Sequence, residues 1–380
     1  MKPISVAFLV LCVCFVSSAW GQSPCKSPSA WSEFHRQNMQ RWNPCEKVLN
    51  INNVGSLQLK WSYTTGGRVR SLPAVKYGVV YVGSWDSNVY ALNASNGAKL
   101  WSYATGSAVD STPAVANGVV YVGSWDGNLY ALNAGTGTLL WSYPTGNLVQ
   151  SSPTVVNGVV YVGSEIDNVY ALNSSTGVPL WSYPTGEEVI STPAMANGVV
   201  YVGSYDGSVY ALNASTGAKL WSYATGGIVH SSPALANEMV YVGSDNGNLY
   251  ALNAGTGTLL WSYPTGARVG SSPAVANGVV YVGQDDGSVY ALNASTGAKL
   301  WSYATGAQVG SSPAVANGVV YVGSGNRNVY ALNARTGAKL SSYATGCNAQ
   351  QCGVHSSPAV ANGVVYVGSD DGKVYAFGLK

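Results

Sequence analysis

The chain has 380 residues, of which 46 are glycine and only 9% are charged, and its formal net charge is +2. Such a weak net charge excludes the basic field that a nucleic-acid or anionic-membrane partner would require. Abundant Gly, Tyr, Val, Ser and Asn, beside few helix-favouring charged residues, are typical of short strands joined by tight turns. The composition therefore predicts an all-β chain.

A leader peptide is the first element in chain order. An apolar run from Ile4 to Val16 is followed by small residues at Ala19 and Gly21. This run of 13 residues is too short to span a bilayer, but its length fits the core of a signal peptide. We expect cleavage before Gln22 and an exported product, periplasmic or extracellular, that is a monomer without a transmembrane span.

Removal of such a leader leaves four cysteines, which are Cys25, Cys45, Cys347 and Cys352. An even number of cysteines in an exported chain favours two disulfides. The simplest pairing joins Cys25 to Cys45 and Cys347 to Cys352, although four cysteines allow three pairings. Their spacing is unlike that of a zinc site, and we predict no metal ligands.

A 40-residue repeat organises the rest of the chain. Prolines recur at that interval at 73, 113, 153, 193, 233, 273 and 313, and an eighth, Pro358, follows after 45 residues. The unit 111–145 contains four β-rich runs, strands A to D, at 113–116, 119–124, 128–133 and 139–143. Turn signals such as Asn117-Gly118 separate them, and Asn-Gly between apolar runs strongly favours a hairpin. Four antiparallel strands per repeat match the size of a propeller blade.

The two ends of the chain predict how the ring closes. The first repeat element is a lone strand D at 57–63, whereas the last unit stops after strand C at 374–377. Pairing these ends completes an eighth blade. We therefore expect a signal peptide at 1–21, a lead-in segment at 22–56 and an eight-bladed β-propeller of four-stranded antiparallel blades at 57–380.

Strands C and D share the motif ALNAGTGTLLW at 131–141. It resembles the tryptophan-docking motif of pyrroloquinoline-quinone (PQQ) type propellers, with Asn133 in place of the usual Asp. The resemblance implies that the tryptophan packs between neighbouring blades. Tryptophan stands at this position in Trp61, Trp101, Trp141, Trp181, Trp221, Trp261 and Trp301. Ser341 replaces it in the blade before closure, which predicts a weaker contact there.

The resemblance implies two kinds of function. The PQQ-like family includes PQQ-dependent dehydrogenases of alcohols and sugars, which also bind calcium, and a quinone-free scaffold in outer-membrane barrel assembly. This sequence has no adjacent cysteine pair of the kind found in the alcohol-oxidising branch, and no catalytic residue maps onto any position. PQQ with calcium therefore stays open on resemblance alone, and the residues themselves predict no cofactor.

The two faces of the predicted ring differ in how far the repeats have diverged. The A–B and C–D turns on one face are nearly uniform, whereas the B–C turns and D–A connectors on the other face vary. Variation is also expected of connectors with few packing constraints, so a purely structural explanation stays open. The candidate binding residues on this variable face are Arg68, Arg70, Trp85, Asp110, Trp125, Glu165, Glu188, Tyr205, His230, Arg268 and His355.

These observations predict an exported, non-catalytic propeller that acts as a binding module or scaffold for a protein or glycan partner. We expect Trp85, Trp125 and Tyr205 to be exposed and to supply contact area. The alternative is a small PQQ-dependent dehydrogenase that oxidises alcohols or sugars at the mouth of the channel.

Overall fold

The computed structural model describes residues 30–35, 39–346 and 352–380. The predicted signal peptide, Cys25 and Cys347 lie outside these residues. Within them, no helix is long and apolar enough to cross a membrane.

The described residues form 33 strands and a short 3-10 helix, Val54–Ser56. The first two strands are β1 (Trp42–Asn43) and β2 (Gln58–Thr64). Blades 1 to 4 consist, in the order A to D, of β3 (Ala74–Lys76), β4 (Val79–Gly83), β5 (Asn88–Asn93), β6 (Lys99–Ala104), β7 (Ala114–Ala116), β8 (Val119–Gly123), β9 (Asn128–Asn133), β10 (Leu139–Pro144), β11 (Thr154–Val156), β12 (Val159–Ser164), β13 (Asn168–Asn173), β14 (Pro179–Pro184), β15 (Ala194–Ala196), β16 (Val199–Gly203), β17 (Ser208–Asn213) and β18 (Lys219–Ala224).

Blades 5 to 8 continue the same order, with β2 serving as strand D of blade 8. Their strands are β19 (Ala234–Ala236), β20 (Met239–Gly243), β21 (Asn248–Asn253), β22 (Leu259–Pro264), β23 (Ala274–Ala276), β24 (Val279–Gly283), β25 (Ser288–Asn293), β26 (Lys299–Ala304), β27 (Ala314–Ala316), β28 (Val319–Gly323), β29 (Asn328–Asn333), β30 (Lys339–Ala344), β31 (Ala359–Ala361), β32 (Val364–Gly368) and β33 (Lys373–Gly378).

The eight sheets form a closed ring, which confirms the predicted eight-bladed propeller. Strand A of each blade contacts strand A of the next, and strand A of blade 8 contacts strand A of blade 1. The lone N-terminal strand β2 pairs antiparallel with β33, with Trp61 opposite Ala376. In the repeat at 111–145, strand A begins at Ala114 instead of Pro113, because proline has no N–H to donate to the ladder.

The A–B turns owe their tightness to left-handed backbone. Asn117 and Gly118 have φ of 50° and 78°, and both central residues of a type I′ turn require positive φ. Asn and Gly adopt this region at little cost, which explains why the pair recurs between strands A and B.

Tryptophans on the outer strands join each blade to the next. The Nε1 of Trp221 in blade 4 donates to the carbonyl of Ala254 in blade 5 at 2.9 Å. Its ring lies against Gly257, where the Cβ of any other residue would be only 2.6 Å from the indole. The φ of +73° at Gly257 also favours glycine. The same contact is made by Trp61, Trp101, Trp141, Trp181, Trp221, Trp261 and Trp301.

The joint between blades 7 and 8 is built differently, because blade 8 takes its strands C and D from opposite ends of the chain. No C–D turn exists there for a tryptophan at position 341 to dock on. The helix Val54–Ser56 packs against β30 in its place. Tyr343 donates to the carbonyl of Val54 and stacks on Phe377 with ring centroids 5.3 Å apart. A tryptophan at position 341 would have no C–D turn to pack against, because the helix Val54–Ser56 takes that place, and the residue there is Ser341.

The lead-in segment does more than precede blade 1, because it runs across the inner end of every blade. Its described residues between 31 and 43, which we call the channel plug, contact strand A of seven blades and, in blade 4, the connector just before strand A. The contacts run in order round the ring: Trp31 with Val75, Ser32 with Val115, Glu33 with Val155, His35 with Thr192, Met39 with Leu235, Gln40 with Val275, Arg41 with Val315 and Asn43 with Val360.

Arg41 holds the plug at its centre. Its fully buried guanidinium donates to the carbonyls of Pro313, Phe34, Ser312 and Pro358. Burial lowers the pKa of Arg41 to about 9, so the group keeps its charge at neutral pH. The carbonyl oxygens therefore compensate for the lost hydration of the cation.

Cys45 and Cys352 are both disulfide-bonded. The cysteines that we pair with them, Cys25 and Cys347, lie outside the described residues. The pairing stays a prediction.

We expect Trp221→Ala to lower the free energy of unfolding by about 3–5 kcal/mol, because the joint between blades 4 and 5 loses a large buried ring. Trp221→Phe keeps an aromatic ring but removes the hydrogen bond to the carbonyl of Ala254, so it should lower the free energy of unfolding by only about 1 kcal/mol. Urea denaturation followed by circular dichroism measures both. Leu220→Ala is the control, since this neighbour is 52% exposed; an equal loss there would contradict the docking role.

Candidate binding funnel on the variable face

A funnel of about 260 Å³ opens where the D–A connectors of all eight blades converge. Phe34 of the channel plug forms its floor. The other lining residues form two rings, with one residue of each ring per blade. The upper ring comprises Arg70, Asp110, Gln150, Ile190, His230, Gly270, Gly310 and His355. The lower ring, whose residues follow two positions later in the sequence, comprises Leu72, Thr112, Ser152, Thr192, Ser232, Ser272, Ser312 and Ser357.

The lower ring locks neighbouring blades together. Ser152 Oγ accepts the backbone N–H of Thr112 in the preceding blade at 2.9 Å. Six hydroxyls make this bond, those of Thr112, Ser152, Ser232, Ser272, Ser312 and Ser357. Repetition of the bond explains why this ring consists almost entirely of Ser and Thr.

Each blade sets two variable side chains next to each other at the rim. The N–H of Trp85 in the B–C turn of blade 1 donates to the carbonyl of Arg68 in the connector at 2.9 Å. The same bond joins Tyr205 to Glu188 and recurs in the other blades. Because both groups are backbone atoms, the side chains vary without loss of the bond.

A first cluster of rim residues surrounds Arg70 in blades 8, 1 and 2. Its Nε and an outer guanidinium nitrogen donate to the two oxygens of Asp370 at 3.0 and 3.4 Å, and His355 lies 3.6 Å from the same carboxylate. The guanidinium also lies over the ring of Trp85, 4.7 Å from its centroid. Trp85 Nε1 in turn donates to Asp110 at 3.2 Å.

A second cluster lies across the funnel in blades 4 to 6. Asp245 accepts from Arg268 at 2.8 Å and lies 3.0 Å from His230 Nε2. Tyr205 meets the His230 ring edge-on, with centroids 4.5 Å apart. Burial lowers the pKa of His230 and of His355, so both imidazoles are neutral at pH 7.

Between the two clusters lies an acidic side, which we define as Asp110, Trp125, Glu165, Glu188 and Tyr205. Burial raises the pKa of Glu165, and the nearby charge of Glu188 raises it further. Burial also raises the pKa of Asp110, against the opposing effects of the Trp85 bond and Arg70. Desolvation raises the pKa of Tyr205 to about 12. Among the described residues, none of these carboxylates forms an ion pair with an arginine, as Asp370 and Asp245 do.

Of the candidate binding residues, Arg70, Asp110, His230 and His355 line the funnel, and the other seven stand at the B–C or connector positions beside it. Trp85, Trp125 and Tyr205 are partly buried, not exposed as expected, because neighbouring rings and guanidinium groups cover them. Asp370 and Asp245, the partners of Arg70 and Arg268, are not among the binding residues predicted from the sequence. The sequence does contain a signal for both residues, because each occupies the B–C position at which the repeats differ.

Tryptophans docked on the next blade, around a ring of eight four-stranded sheets, define a propeller of the PQQ-like class. A sequence profile of the family described as outer membrane protein assembly factor BamB matches residues 44–151, 145–271 and 246–380. The chain belongs to this family. No curated protein matches the sequence.

Solved structures share the fold at low sequence identity. BamB from Moraxella catarrhalis is 21% identical with a TM-score of 0.74, over 85% of this chain and 100% of that one. A europium-containing methanol dehydrogenase is 18% identical with a TM-score of 0.79, over 93% and 99%. Quinohemoprotein alcohol dehydrogenase ADHIIG from Pseudomonas putida HK5 is 20% identical with a TM-score of 0.80, over 93% and 81%. At these identities the likeness establishes the fold alone.

The funnel does not fit PQQ. The upper ring, the B–C position and the adjoining connector position carry three arginines, Arg68, Arg70 and Arg268, against six acids, Asp110, Glu165, Glu188, Asp245, Asp285 and Asp370. The carboxylates of PQQ would therefore meet more acids than arginines at these positions around the funnel. The described residues also contain no cluster of three or more His, Cys, Asp or Glu side chains that could hold a metal ion.

We expect Arg70→Leu to lower the free energy of unfolding by about 3 kcal/mol, because it strands the Asp370 carboxylate, whose side chain is 1% exposed. Arg268→Leu removes the same charge from a pair whose side chains are 44% and 20% exposed, and should change stability by less than about 1 kcal/mol. Urea denaturation at pH 7 compares them. Equal losses would show that the burial of Asp370 does not matter.

Proposed function

We propose that the chain is an exported, non-catalytic binding propeller whose funnel receives a basic segment of a protein partner. The observation that carries the proposal is the acidic side, where carboxylates that form no ion pair with an arginine of the described residues lie near aromatic rings. The predicted signal peptide supports export, and the family description, which names an assembly factor, supports a protein partner.

The charges of the funnel favour a cation. Burial raises the pKa of Glu165, and repulsion from the nearby charge of Glu188 raises it further. A lysine or arginine side chain placed between them would relieve this repulsion and form charge-assisted hydrogen bonds. The ring of Trp125 adds an attractive surface for the same cation. An acidic or phosphorylated partner would instead be repelled by these carboxylates.

A basic protein segment fits the aromatic groups better than a glycan does. A sugar ring would need an open indole face, but Arg68 and Arg70 lie 5.4 and 4.7 Å from the centroid of Trp85. Trp125 packs against Trp85 with centroids 5.1 Å apart. The remaining ring surface suits a flat or elongated cationic side chain.

The size of the funnel sets how much of a partner enters it. A volume of about 260 Å³ lies below the roughly 300–1,000 Å³ typical of sites for drug-sized molecules. One or two side chains fill such a space. The rest of the contact then falls on the rim, where the variable B–C and connector residues lie.

We expect the double variant Glu165→Gln/Glu188→Gln, and separately Trp125→Ala, to weaken partner binding at least tenfold. The partner is captured from envelope proteins of the host and its affinity measured by interferometry. Glu238→Gln and Tyr77→Ala are the controls, because they remove one carboxylate charge and one aromatic ring from A–B turns on the uniform face, where Tyr77 is 74% exposed. Equal weakening by the controls would refute the funnel as the binding surface.

The same interaction should depend on pH. Because the pKa values of Asp110 and Glu165 are raised, these carboxylates take up protons at higher pH than ordinary acids. Affinity for a basic partner should therefore fall as the pH is lowered, and the fall should begin at a higher pH than it would for carboxylates of ordinary pKa. The double variant, which lacks the Glu165 charge, should show a smaller fall; an unchanged pH profile would contradict the role of these acids.

The dehydrogenase alternative is tested by titrating the purified chain with PQQ, with and without Ca²⁺, while following tryptophan fluorescence and quinone absorbance. Because acids outnumber arginines at the positions around the funnel, we expect no saturable binding at micromolar quinone concentration. Calcium-dependent binding at micromolar concentration, about −8 kcal/mol, would instead favour the dehydrogenase function.

A further inference from the structure

A second recess lies on the uniform face, between blades 3 and 4. Its volume is about 670 Å³. We call it the blade 3–4 groove; the residues that matter for its chemistry are Val156, Asn157, Val159, Leu180, Met195 and Gly198. Ala214 and Ser215 of the C–D turn of blade 4 close its outer end.

The equivalent groove between blades 7 and 8 is filled by the chain's own residues 46–51. Leu49 is fully buried there and belongs to the same core cluster as Val319 and Tyr321. The side-chain nitrogen of Asn317 donates to the carbonyl of Leu49 at 2.9 Å. This groove therefore shows what kind of segment fits the space between two blades.

Two further contacts complete this internal template. The carboxylate of Glu46 accepts the backbone N–H of Gly363 at 3.0 Å. Val48 lies against Gly363, and Ile51 lies 3.5 Å from the place where a Cβ on Gly318 would be. The segment thus supplies one carboxylate and three aliphatic side chains.

The blade 3–4 groove has the same hydrogen-bonding groups. The repeat places Asn157 where Asn317 stands, and Gly198 where Gly363 stands. Both are exposed, and among the described residues neither Asn157 Nδ2 nor the N–H of Gly198 has a hydrogen-bond partner. The donors that hold the segment in blades 7 and 8 are therefore available here.

The sequence departs from the repeat at this groove, although the rest of the face is nearly uniform. Val156 stands where six blades have Ala and blade 1 has Lys76. Met195 stands where the other blades have Val or Leu. Both are only partly buried, and methionine adapts its shape to varied partners. The two changes make the groove more apolar and more adaptable.

We propose that the blade 3–4 groove binds a short, non-helical segment of a partner protein with the chemistry of residues 46–51, a carboxylate followed by aliphatic side chains. Asn157 donates to a backbone carbonyl of this segment, and the N–H of Gly198 binds its carboxylate. Val156 and Met195 contact the aliphatic side chains. The proposal is independent of the funnel, because the two sites lie on opposite faces and attract opposite charges.

The probe is a fluorescein-labelled peptide with the sequence of residues 46–53, EKVLNINN, titrated with the full mature chain by fluorescence anisotropy. We expect saturable binding with Kd below about 1 mM, or −4.1 kcal/mol. Met195→Arg should reduce the affinity at least tenfold, because it puts a charge among the aliphatic contacts. Asn157→Asp should reduce it at least fivefold, since aspartate tolerates the turn but cannot donate. A peptide with Leu49→Lys should not bind.

Controls separate this groove from other surfaces. Asn277→Asp makes the same change in the A–B turn of blade 6 and should leave the affinity unchanged. If Asn277→Asp weakens binding as much as Asn157→Asp, the effect is general charge and the proposal fails. It also fails if the peptide does not bind, or if only Asn317→Asp reduces binding, since the peptide would then be exchanging with the chain's own segment in blades 7 and 8.

Discussion

Contact between a tryptophan on the outer strand of one blade and a glycine in the C–D turn of the next is the constraint on which this ring depends. The indole lies where any side chain on that glycine would be, so neither residue tolerates a larger neighbour. The contact repeats at seven joints, and every blade consequently takes the same position relative to the next. The eight strands A then close a circle, which brings the variable residues of all blades to one funnel.

Backbone bonds let the two faces of this ring serve different purposes. At the rim, the B–C turn and the connector are joined through main-chain atoms, so Trp85 and Arg68 occupy a frame that equally holds Tyr205 and Glu188. On the other face, positive φ at residues such as Asn117 restricts the turns to a few residue types. The variable face therefore tolerates many side chains in its turns and connectors. On the uniform face, substitutions occur in the strands next to the turns, as at Met195.

Local signals predicted the fold almost completely. The Asn-Gly turns, the 40-residue spacing and the lone first strand D were enough to predict eight blades and the pairing of β2 with β33. The site was predicted less fully. Arg70 and Asp370 are 300 residues apart, so nothing in either neighbourhood shows that they meet. The channel plug has no repeat of its own, and its contacts with eight separate blades leave no local pattern.

The order of the plug's contacts has a consequence for folding. Residues 31 to 43 are synthesised before any blade, yet Arg41 needs the carbonyl of Pro358 and Asn43 needs that of Val360. Their final environment exists only when nearly the whole chain has emerged. The plug is thus synthesised early but reaches its final contacts only after the last blade has been made, and contacts of such high sequence separation are slow to form.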